Sequence, residues 1–138
     1  MSSAETVAAR PSSMNRRKIT AYTLVAAATM TAVLYLVVDP VAGHRLEAVS
    51  GGATMHITVA WVVAGTIIPG ACGLAIASLL RRLSNGRLVW LIVSSAALLL
   101  SLGGPFGGTT TVTVLVLLAM HLLVGAAVIP AGYFVARR

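Results

Sequence analysis

The chain has 138 residues, of which 58% are hydrophobic and only 9% are charged, and its net charge at pH 7 is +7. A soluble domain carries about 25% charged residues, because its surface must be solvated by water. The composition therefore excludes a soluble globular protein, and the hydrophobic content excludes a disordered one. The basic residues form short clusters beside apolar runs, which indicates a role in membrane topology rather than in nucleic-acid binding.

The first segment, residues 1–18, is polar, contains several Ser and Ala residues, and ends in a basic cluster at 16–18. We expect it to be a disordered cytoplasmic tail, because it holds too little apolar surface to fold. A single membrane domain at 19–138 is expected to follow. Met14 is an alternative start of the protein, because MNRRK followed by an apolar run reads as a complete N-terminus.

Four apolar runs follow the tail, at 19–38, 56–80, 88–103 and 112–136. Twenty residues of α-helix span about 30 Å, which is the thickness of the hydrocarbon core. The first run is longer than the roughly 7–15 apolar residues of a signal peptide, which favours a membrane span over a cleaved leader. The predicted fold is therefore all-α: a polytopic membrane protein with a four-helix transmembrane bundle.

Lys and Arg are distributed unevenly among the segments that flank these runs. Four lie in the N-terminal tail, three between residues 81 and 87, and two at the C-terminus. The 39–55 loop holds only Arg45, and the 104–111 loop holds none. Because basic residues accumulate on the cytoplasmic side, this asymmetry predicts a multi-pass protein of the cell membrane with both termini in the cytoplasm.

The second and fourth runs share a pattern of small and apolar residues around a proline. Residues 63–71 (VAGTIIPGA) align with residues 124–132 (VGAAVIPAG). The pattern favours two helical hairpins of the same orientation, related by a parallel repeat; chance recurrence of common apolar residues is the alternative. Pro69 and Pro130 each remove a backbone hydrogen bond and clash with the preceding turn, so both helices are expected to kink.

Small residues at helical spacing predict the packing faces of the helices. Lipid tails provide no hydrophobic drive for helix association, so helices in membranes pack where small residues let the backbones approach. The residues expected to face the bundle are Thr23, Ala27, Thr31 and Tyr35 in the first run, Ala60, Ala64, Gly65, Gly73 and Ala77 in the second, Ser94, Ala97 and Ser101 in the third, and Gly125 in the fourth.

His121 is the only His, Asp, Glu, Lys or Arg deep inside a predicted span, about 14 Å from the start of the fourth run. Thr31, Thr66 and Ser94 fall at similar depth, which predicts a polar site near the middle of the membrane. An ionisable residue inside a membrane is rare and favours a functional role. The alternative is a structural role, in which a neutral imidazole hydrogen-bonds a Ser, a Thr or a carbonyl freed by proline and holds the bundle together.

Residue patterns typical of metal, haem or catalytic sites do not occur. The 39–56 segment holds two acidic residues and two histidines without the spacing of a metal-ligand motif; they are Asp39, His44, Glu47 and His56. His56 and His121 differ in depth by about half the bilayer, which disfavours a haem between them. No Ser-His-Asp set, P-loop or GxGxxG occurs, and Cys72 is a lone cysteine. We therefore expect no metal, no cofactor and no enzymatic activity.

The region from the end of the third run to the end of the fourth, LLLSLGGPFGGTTTVTVLVLLAMHLLVGAAVIPAG at 98–132, carries the most distinctive pattern. It combines an S-L-x-x-P turn, three threonines, M-H-L and V-I-P, at Ser101, Leu102, Pro105, Thr109, Thr110, Thr111, Met120, His121, Leu122, Val128, Ile129 and Pro130. With this pattern the chain resembles an actinobacterial family of small four-helix membrane proteins, domain of unknown function 6069, over about residues 15–136. The resemblance implies four spans and supplies no activity, substrate or catalytic residue.

Two classes of function remain open from the sequence. The favoured class is a non-enzymatic membrane scaffold or accessory protein that acts through helix–helix contacts, because four helices leave little room for a pore within one chain. The alternative is a small oligomeric transporter or channel with a polar site around His121, since proline-broken helices often form such sites. The expected partners are the lipid bilayer, a homo-oligomer or other membrane proteins, and no nucleic acid.

Overall fold

Four long α-helices make up most of the computed structural model, which describes residues 13–137. Each of them is long and apolar enough to cross a membrane. This confirms the predicted all-α, multi-pass architecture. The helices are α1 (Ser13–Leu36), α2 (Val59–Leu80), α3 (Gly86–Ser101) and α4 (Thr111–Val135).

Helix α1 begins earlier than the first apolar run. The predicted tail at 1–18 overlaps α1 by six residues, and residues 1–12 lie outside the described part of the chain. Arg and Lys are good helix formers, so the basic cluster can extend the helix of the apolar run that follows. The guanidinium of Arg16 also donates a hydrogen bond to the carbonyl oxygen of Arg137, at 3.0 Å, which ties this first turn to the end of α4.

The predicted 39–55 loop contains regular structure. A π-helical turn (Val37–Val41) extends α1, and it is followed by an antiparallel hairpin of β1 (Glu47–Ser50) and β2 (Ala53–His56). Gly51 and Gly52 form its turn with positive φ angles of 59° and 82°, which a glycine pair adopts without a steric cost. Because β2 includes residue 56, α2 begins three residues later than predicted.

The hairpin closes one end of the bundle, which we call the hairpin end (residues 37–58 and 102–110). Leu46, just before β1, is fully buried beneath it, and its amide donates to the carboxylate of Asp39 at 2.8 Å. The amide of Thr109, in the loop between α3 and α4, donates to the carbonyl oxygen of Glu47 at 3.0 Å. Both interhelical connections at this end are therefore joined through the hairpin.

We call the opposite end the basic end (residues 13–18, 81–88 and 136–137). It holds every Lys and Arg of the described chain except Arg45. The start of α1 and the end of α4 meet here, because Arg16 bonds Arg137. The chain thus makes four passes, and α2 and α4 run in the same direction. This shared direction agrees with the predicted parallel repeat, although a hairpin joins α1 to α2 and a short 3-10 turn (Gly104–Gly107) joins α3 to α4.

The core consists of two apolar clusters with a polar layer between them. The cluster near the hairpin end contains Tyr35, Leu46, Val62 and Met120. The cluster near the basic end contains Leu74, Ala77, Trp90, Val128, Ala131, Val135 and Ala136. Between them, the buried hydroxyl groups of Thr31 and Thr66 hydrogen-bond across α1 and α2 at 3.1 Å. This bond links α1 and α2 between the two clusters.

The predicted packing faces are correct for α1, where Ala27, Thr31 and Tyr35 are buried. Gly73 and Gly125 also face neighbouring helices, since an added Cβ would contact the Trp90 ring at 3.5 Å and the Leu98 side chain at 2.8 Å, respectively. Other members of these faces are exposed, which corrects the prediction for them; they are Ala60, Gly65, Ala97 and Ser101. The last three line an open space between α2 and α3, so those helices stand apart where close packing was expected.

Candidate functional site

An open cavity of about 420 Å³ lies between α2, α3 and α4, and we call it the central cleft. Its lining is mostly apolar. On α2 the lining extends from Trp61, toward the hairpin end, to Ile76, toward the basic end. At 1.5 Å per residue this is about 22 Å of helix, which is most of the thickness of the hydrocarbon core. The cleft therefore follows the direction of a membrane-spanning helix.

Trp90 closes the cleft toward the basic end. Its side chain is 2% exposed, and its indole N–H donates to the carbonyl oxygen of Ile129 at 2.9 Å. The ring fits because glycines face it from both neighbouring helices: Gly73 on α2 and Gly132 on α4. The sequence shows Trp90 only as an aromatic residue near the end of a span. Its burial between Gly73 and Gly132 was therefore not predicted.

Three of the four residues of the predicted mid-membrane polar site line the central cleft, and the fourth contacts one of them. Thr66, Ser94 and His121 all line the central cleft, from α2, α3 and α4 respectively. Thr31, on α1, lies behind Thr66 and shares the hydrogen bond between their hydroxyl groups. Three of the predicted polar residues therefore share one cavity, and their common depth in a membrane stays a prediction.

The hydroxyl groups of this site are bonded within their own helices. Thr66 donates to the carbonyl oxygen of Val62 at 2.9 Å, and Ser94 donates to that of Trp90 at 2.7 Å. Within the described residues, every buried side-chain nitrogen and oxygen has a hydrogen-bond partner. The hydroxyl groups are thus satisfied before any ligand or partner binds, which limits how strongly they would hold one.

His121 differs from these hydroxyl groups. Its Nδ1 lies 2.7 Å from the carbonyl oxygen of Leu117. A carbonyl oxygen only accepts hydrogen bonds, so Nδ1 carries the proton and the Nε2 of a neutral ring is an acceptor. The half-buried ring bonds its own helix rather than a neighbouring one. The hydrogen bond between α1 and α2 beside this site is made by the Thr31–Thr66 pair, and the role of His121 stays a prediction.

The two prolines of the repeated pattern have different surroundings. Pro69 lines the central cleft, whereas Pro130 does not. Both prolines lie inside continuous helices. That the helices kink at these prolines stays a prediction. Since Pro69 has no N–H, the carbonyl of Gly65 lacks its usual partner four residues later, and Gly65 also lines the cleft. Pro69 therefore leaves a carbonyl acceptor without its helical partner at a residue of the cleft lining, which also includes His121.

Asp39 makes the structural side-chain contacts of the hairpin end among the described residues. The His56 Nε2 lies 3.2 Å from the Asp39 carboxylate, which also accepts the Leu46 amide, and Glu47 pairs with His56 in the hairpin register. Within residues 13–137, no three His, Cys, Asp or Glu side chains are grouped so that they could hold a metal ion. Asp39 thus fastens the hairpin to the end of α1.

Comparison with known proteins identifies the family of the chain. Residues 11–138 match the family of unknown function DUF6069. A search of the curated proteins found no match, and a search of the solved structures found none either. The family match includes the whole four-helix bundle, the hairpin and the central cleft. The chain therefore belongs to the DUF6069 family.

Proposed function

We propose that this chain is a membrane scaffold or accessory protein without enzymatic activity, and that its central cleft holds one transmembrane helix of another membrane protein. The observation that carries this proposal is the extended, open and mostly apolar cleft along α2 and α3. Its length of about 22 Å along α2 suits a helix better than a compact small molecule. A partner helix would enter from the lipid without exposing charge, because the described residues that line the cleft include no Asp, Glu, Lys or Arg.

Small residues on the cleft walls support helix docking. A Cβ added to Gly65 would meet no atom within 4 Å, so the backbone of α2 is open to a neighbour there. Ala97 and Ser101 are exposed on α3, at the other side of the cleft. In membranes, such small residues let a second helix approach closely enough for van der Waals contact and weak Cα–H hydrogen bonds. A partner helix would supply the contacts that these positions lack.

The polar groups of the cleft favour a partner with a hydrogen-bond donor at mid-depth. The Nε2 of His121 and the carbonyl of Gly65 are acceptors in a mostly apolar lining, whose hydroxyl groups are already bonded within their own helices. A Ser, Thr or Asn side chain on the partner helix would satisfy either acceptor. Interhelical bonds of this kind contribute about 0.6–2 kcal/mol each in membranes. They would fix the register of the docked helix rather than supply most of its affinity.

Photo-crosslinking in native membranes tests the docking proposal. A photoreactive residue at Ala97, in the cleft, should give one defined heteromeric adduct, whereas the same residue at Val25, exposed on α1, should not. Gly65→Leu fills the cleft and should abolish the adduct. Ile68→Leu changes an exposed α2 residue outside the cleft lining and serves as the control. An adduct with a second copy of this chain would show that the cleft binds a helix of a homo-oligomer rather than of another protein. Adducts with lipid alone would contradict the proposal.

We also propose that the protein lies in the cell membrane with both termini in the cytoplasm. The support is the gathering of Lys and Arg at the basic end, which the positive-inside rule assigns to the cytoplasmic side. Alkaline phosphatase fused after Ser50 or after Gly108 should be active, because both sites would be outside the cytoplasm. Fusions after Asn85 and Arg138 should be inactive. Activity of the Asn85 fusion would reverse the assignment.

A small oligomeric transporter or channel is the second candidate. The observation that favours it is that Thr66, Ser94 and His121 line one shared cleft. Two or more copies would have to combine, because the cleft of one chain is open at its side. Proton or ion coupling would depend on His121, which is the acid or base within the cleft.

Substitution of His121 separates the two candidates. His121→Gln should leave the free energy of unfolding nearly unchanged, because the side chain bonds only its own helix among the described residues. Thr31→Val is the contrasting variant and should cost about 0.6–1 kcal/mol by removing an interhelical bond. Both variants would be reconstituted in liposomes for a flux assay. Specific flux that is lost in His121→Gln would support transport and contradict the scaffold.

A further inference from the structure

A second cavity, of about 470 Å³, lies at the basic end, where the loop between α2 and α3 meets the end of α4. We call it the basic pocket; its lining includes Leu83, Ser84, Asn85, Arg87, Leu88 and Arg137. Polar and apolar groups both contribute to this lining, unlike that of the central cleft. The pocket lies at the ends of membrane-spanning helices, which is the level of lipid headgroups.

Two arginines give the basic pocket its charge. Arg87 is half-buried, and its guanidinium carbon lies 5.0 Å from the ring centroid of Tyr133, so a cation–π contact holds it in place. Arg137 lines the same pocket from the end of α4, and Arg16 bonds its carbonyl oxygen. Arginine binds phosphate strongly because its planar guanidinium donates paired hydrogen bonds to the oxygens.

The surroundings of the pocket add to this positive potential. Helix α3 has 16 residues and begins at the pocket with Gly86, and the side chain of its capping residue Asn85 makes no capping hydrogen bond. The amide of Gly86 already donates to the carbonyl oxygen of Leu83 at 3.4 Å, so this first turn contributes chiefly the positive end of the helix dipole. Within residues 13–137 the two acidic side chains, Asp39 and Glu47, both lie at the hairpin end. No described carboxylate competes with an anion for the arginines.

We infer that the basic pocket binds the phosphate group of an anionic phospholipid. The two guanidinium groups and the α3 N-terminus would contact the phosphate oxygens. The exposed apolar side chains of Leu83 and Leu88 would lie beside the glycerol and the first acyl carbons. A soluble phosphate offers the same oxygens but gains nothing from these leucines, which favours the lipid. The inference does not depend on the proposed scaffold function, because the basic pocket and the central cleft are separate cavities.

Native mass spectrometry of the full chain in detergent tests this inference. Titration with dioleoyl phosphatidylglycerol should show a saturable bound lipid, and dioleoyl phosphatidylcholine should bind clearly more weakly. The double variant Arg87→Gln/Arg137→Gln should lower the phosphatidylglycerol affinity by about tenfold or more. The matched control is Arg17→Gln/Lys18→Gln, which removes the same charge from exposed residues at the same end. It should change the affinity by less than about twofold.

Further variants keep the test decisive if the double variant folds poorly. Arg137→Gln alone changes an exposed residue at the chain end and should still weaken binding, whereas Arg87→Lys keeps the charge and should bind better than Arg87→Gln. Equal losses in the pocket variant and in the charge-matched control would overturn the inference, since only general surface charge would then matter. Displacement of the lipid by submillimolar inorganic phosphate would also overturn it, in favour of a soluble anion.

Discussion

Gly132→Ala is expected to lower the free energy of unfolding by about 1–3 kcal/mol, which is the usual cost of overpacking a tight core. The added Cβ would overlap the six-membered part of the Trp90 indole and its nitrogen. That ring is 2% exposed and hydrogen-bonded to the carbonyl of Ile129, so it has little space in which to move. Unfolding in mixed micelles with increasing dodecyl sulfate, followed by tryptophan fluorescence, would measure the loss.

Gly65→Ala is the matched control for this substitution. It is also a Gly→Ala change within a long helix, but the added Cβ would meet no atom within 4 Å. Helix propensity favours Ala over Gly by about 1 kcal/mol in water, so this variant should be neutral or slightly more stable. If both variants unfold at the same dodecyl sulfate concentration as the wild type, Trp90 does not pack tightly on Gly132.

A double-mutant cycle identifies Trp90 as the cause of the loss. In a Trp90→Leu background the ring is gone, so Gly132→Ala should cost much less than in the wild type. The coupling between the two substitutions should be about 1–3 kcal/mol, as for residues in direct contact. In the Trp90→Leu background, tryptophan fluorescence reports only Trp61. Circular dichroism should therefore be used to follow the unfolding of the wild type, the two single variants and the double variant. An absence of coupling would indicate that Gly132 acts through the α4 backbone.

Asp39→Ala is expected to lower the free energy of unfolding by about 1–3 kcal/mol, because the buried amide of Leu46 would lose its acceptor. The same substitution removes the partner of the His56 imidazole, at 3.2 Å. Both losses affect the connection between α1 and the hairpin. Hydrogen exchange measured by mass spectrometry should therefore show faster exchange in peptides from residues 42–58 than in peptides from α4.

Two further variants separate the contributions of Asp39. Asp39→Asn keeps a side-chain oxygen for the Leu46 amide and removes the charge near His56, so its effect should be smaller than that of Asp39→Ala. Glu47→Gln is the control, because the described residues give its side chain no hydrogen bond or ion pair, although its backbone carbonyl accepts from Thr109. Exchange in Asp39→Ala that matches the wild type would show that the carboxylate does not fasten the hairpin.

Some features of the hairpin end could have been recognised from the sequence. The dipeptide Gly51-Gly52, between two short segments of moderate β propensity, is a typical hairpin turn. The contacts of the hairpin could not have been recognised in this way. They depend on Asp39 reaching Leu46 around a π-helical turn and on Thr109 reaching Glu47 from a loop more than sixty residues away. Such contacts follow from where the helix ends lie, which no local pattern encodes.

The sequence by itself determined the number and approximate bounds of the helices, and the side of the bundle on which each loop lies. The physical reason is that a bilayer requires long uncharged helices and separates basic from neutral loops. It also predicted a common depth for the polar residues, because rise per residue converts position into depth, and three of them line one cavity in the structure. Thr66, Ser94 and His121 were placed at one level on this basis alone.

Only the tertiary structure decided which helix faces meet and which stay open. Helices in lipid have no hydrophobic drive that sorts their faces, so Gly65 and Gly132 look alike in sequence although one is open and the other packs on Trp90. The same applies to His121, whose position within the fourth span was readable from the sequence but whose bond to Leu117 was not. The central cleft and the basic pocket both arise from this packing, because each is a place where neighbouring helices or their loops stand apart.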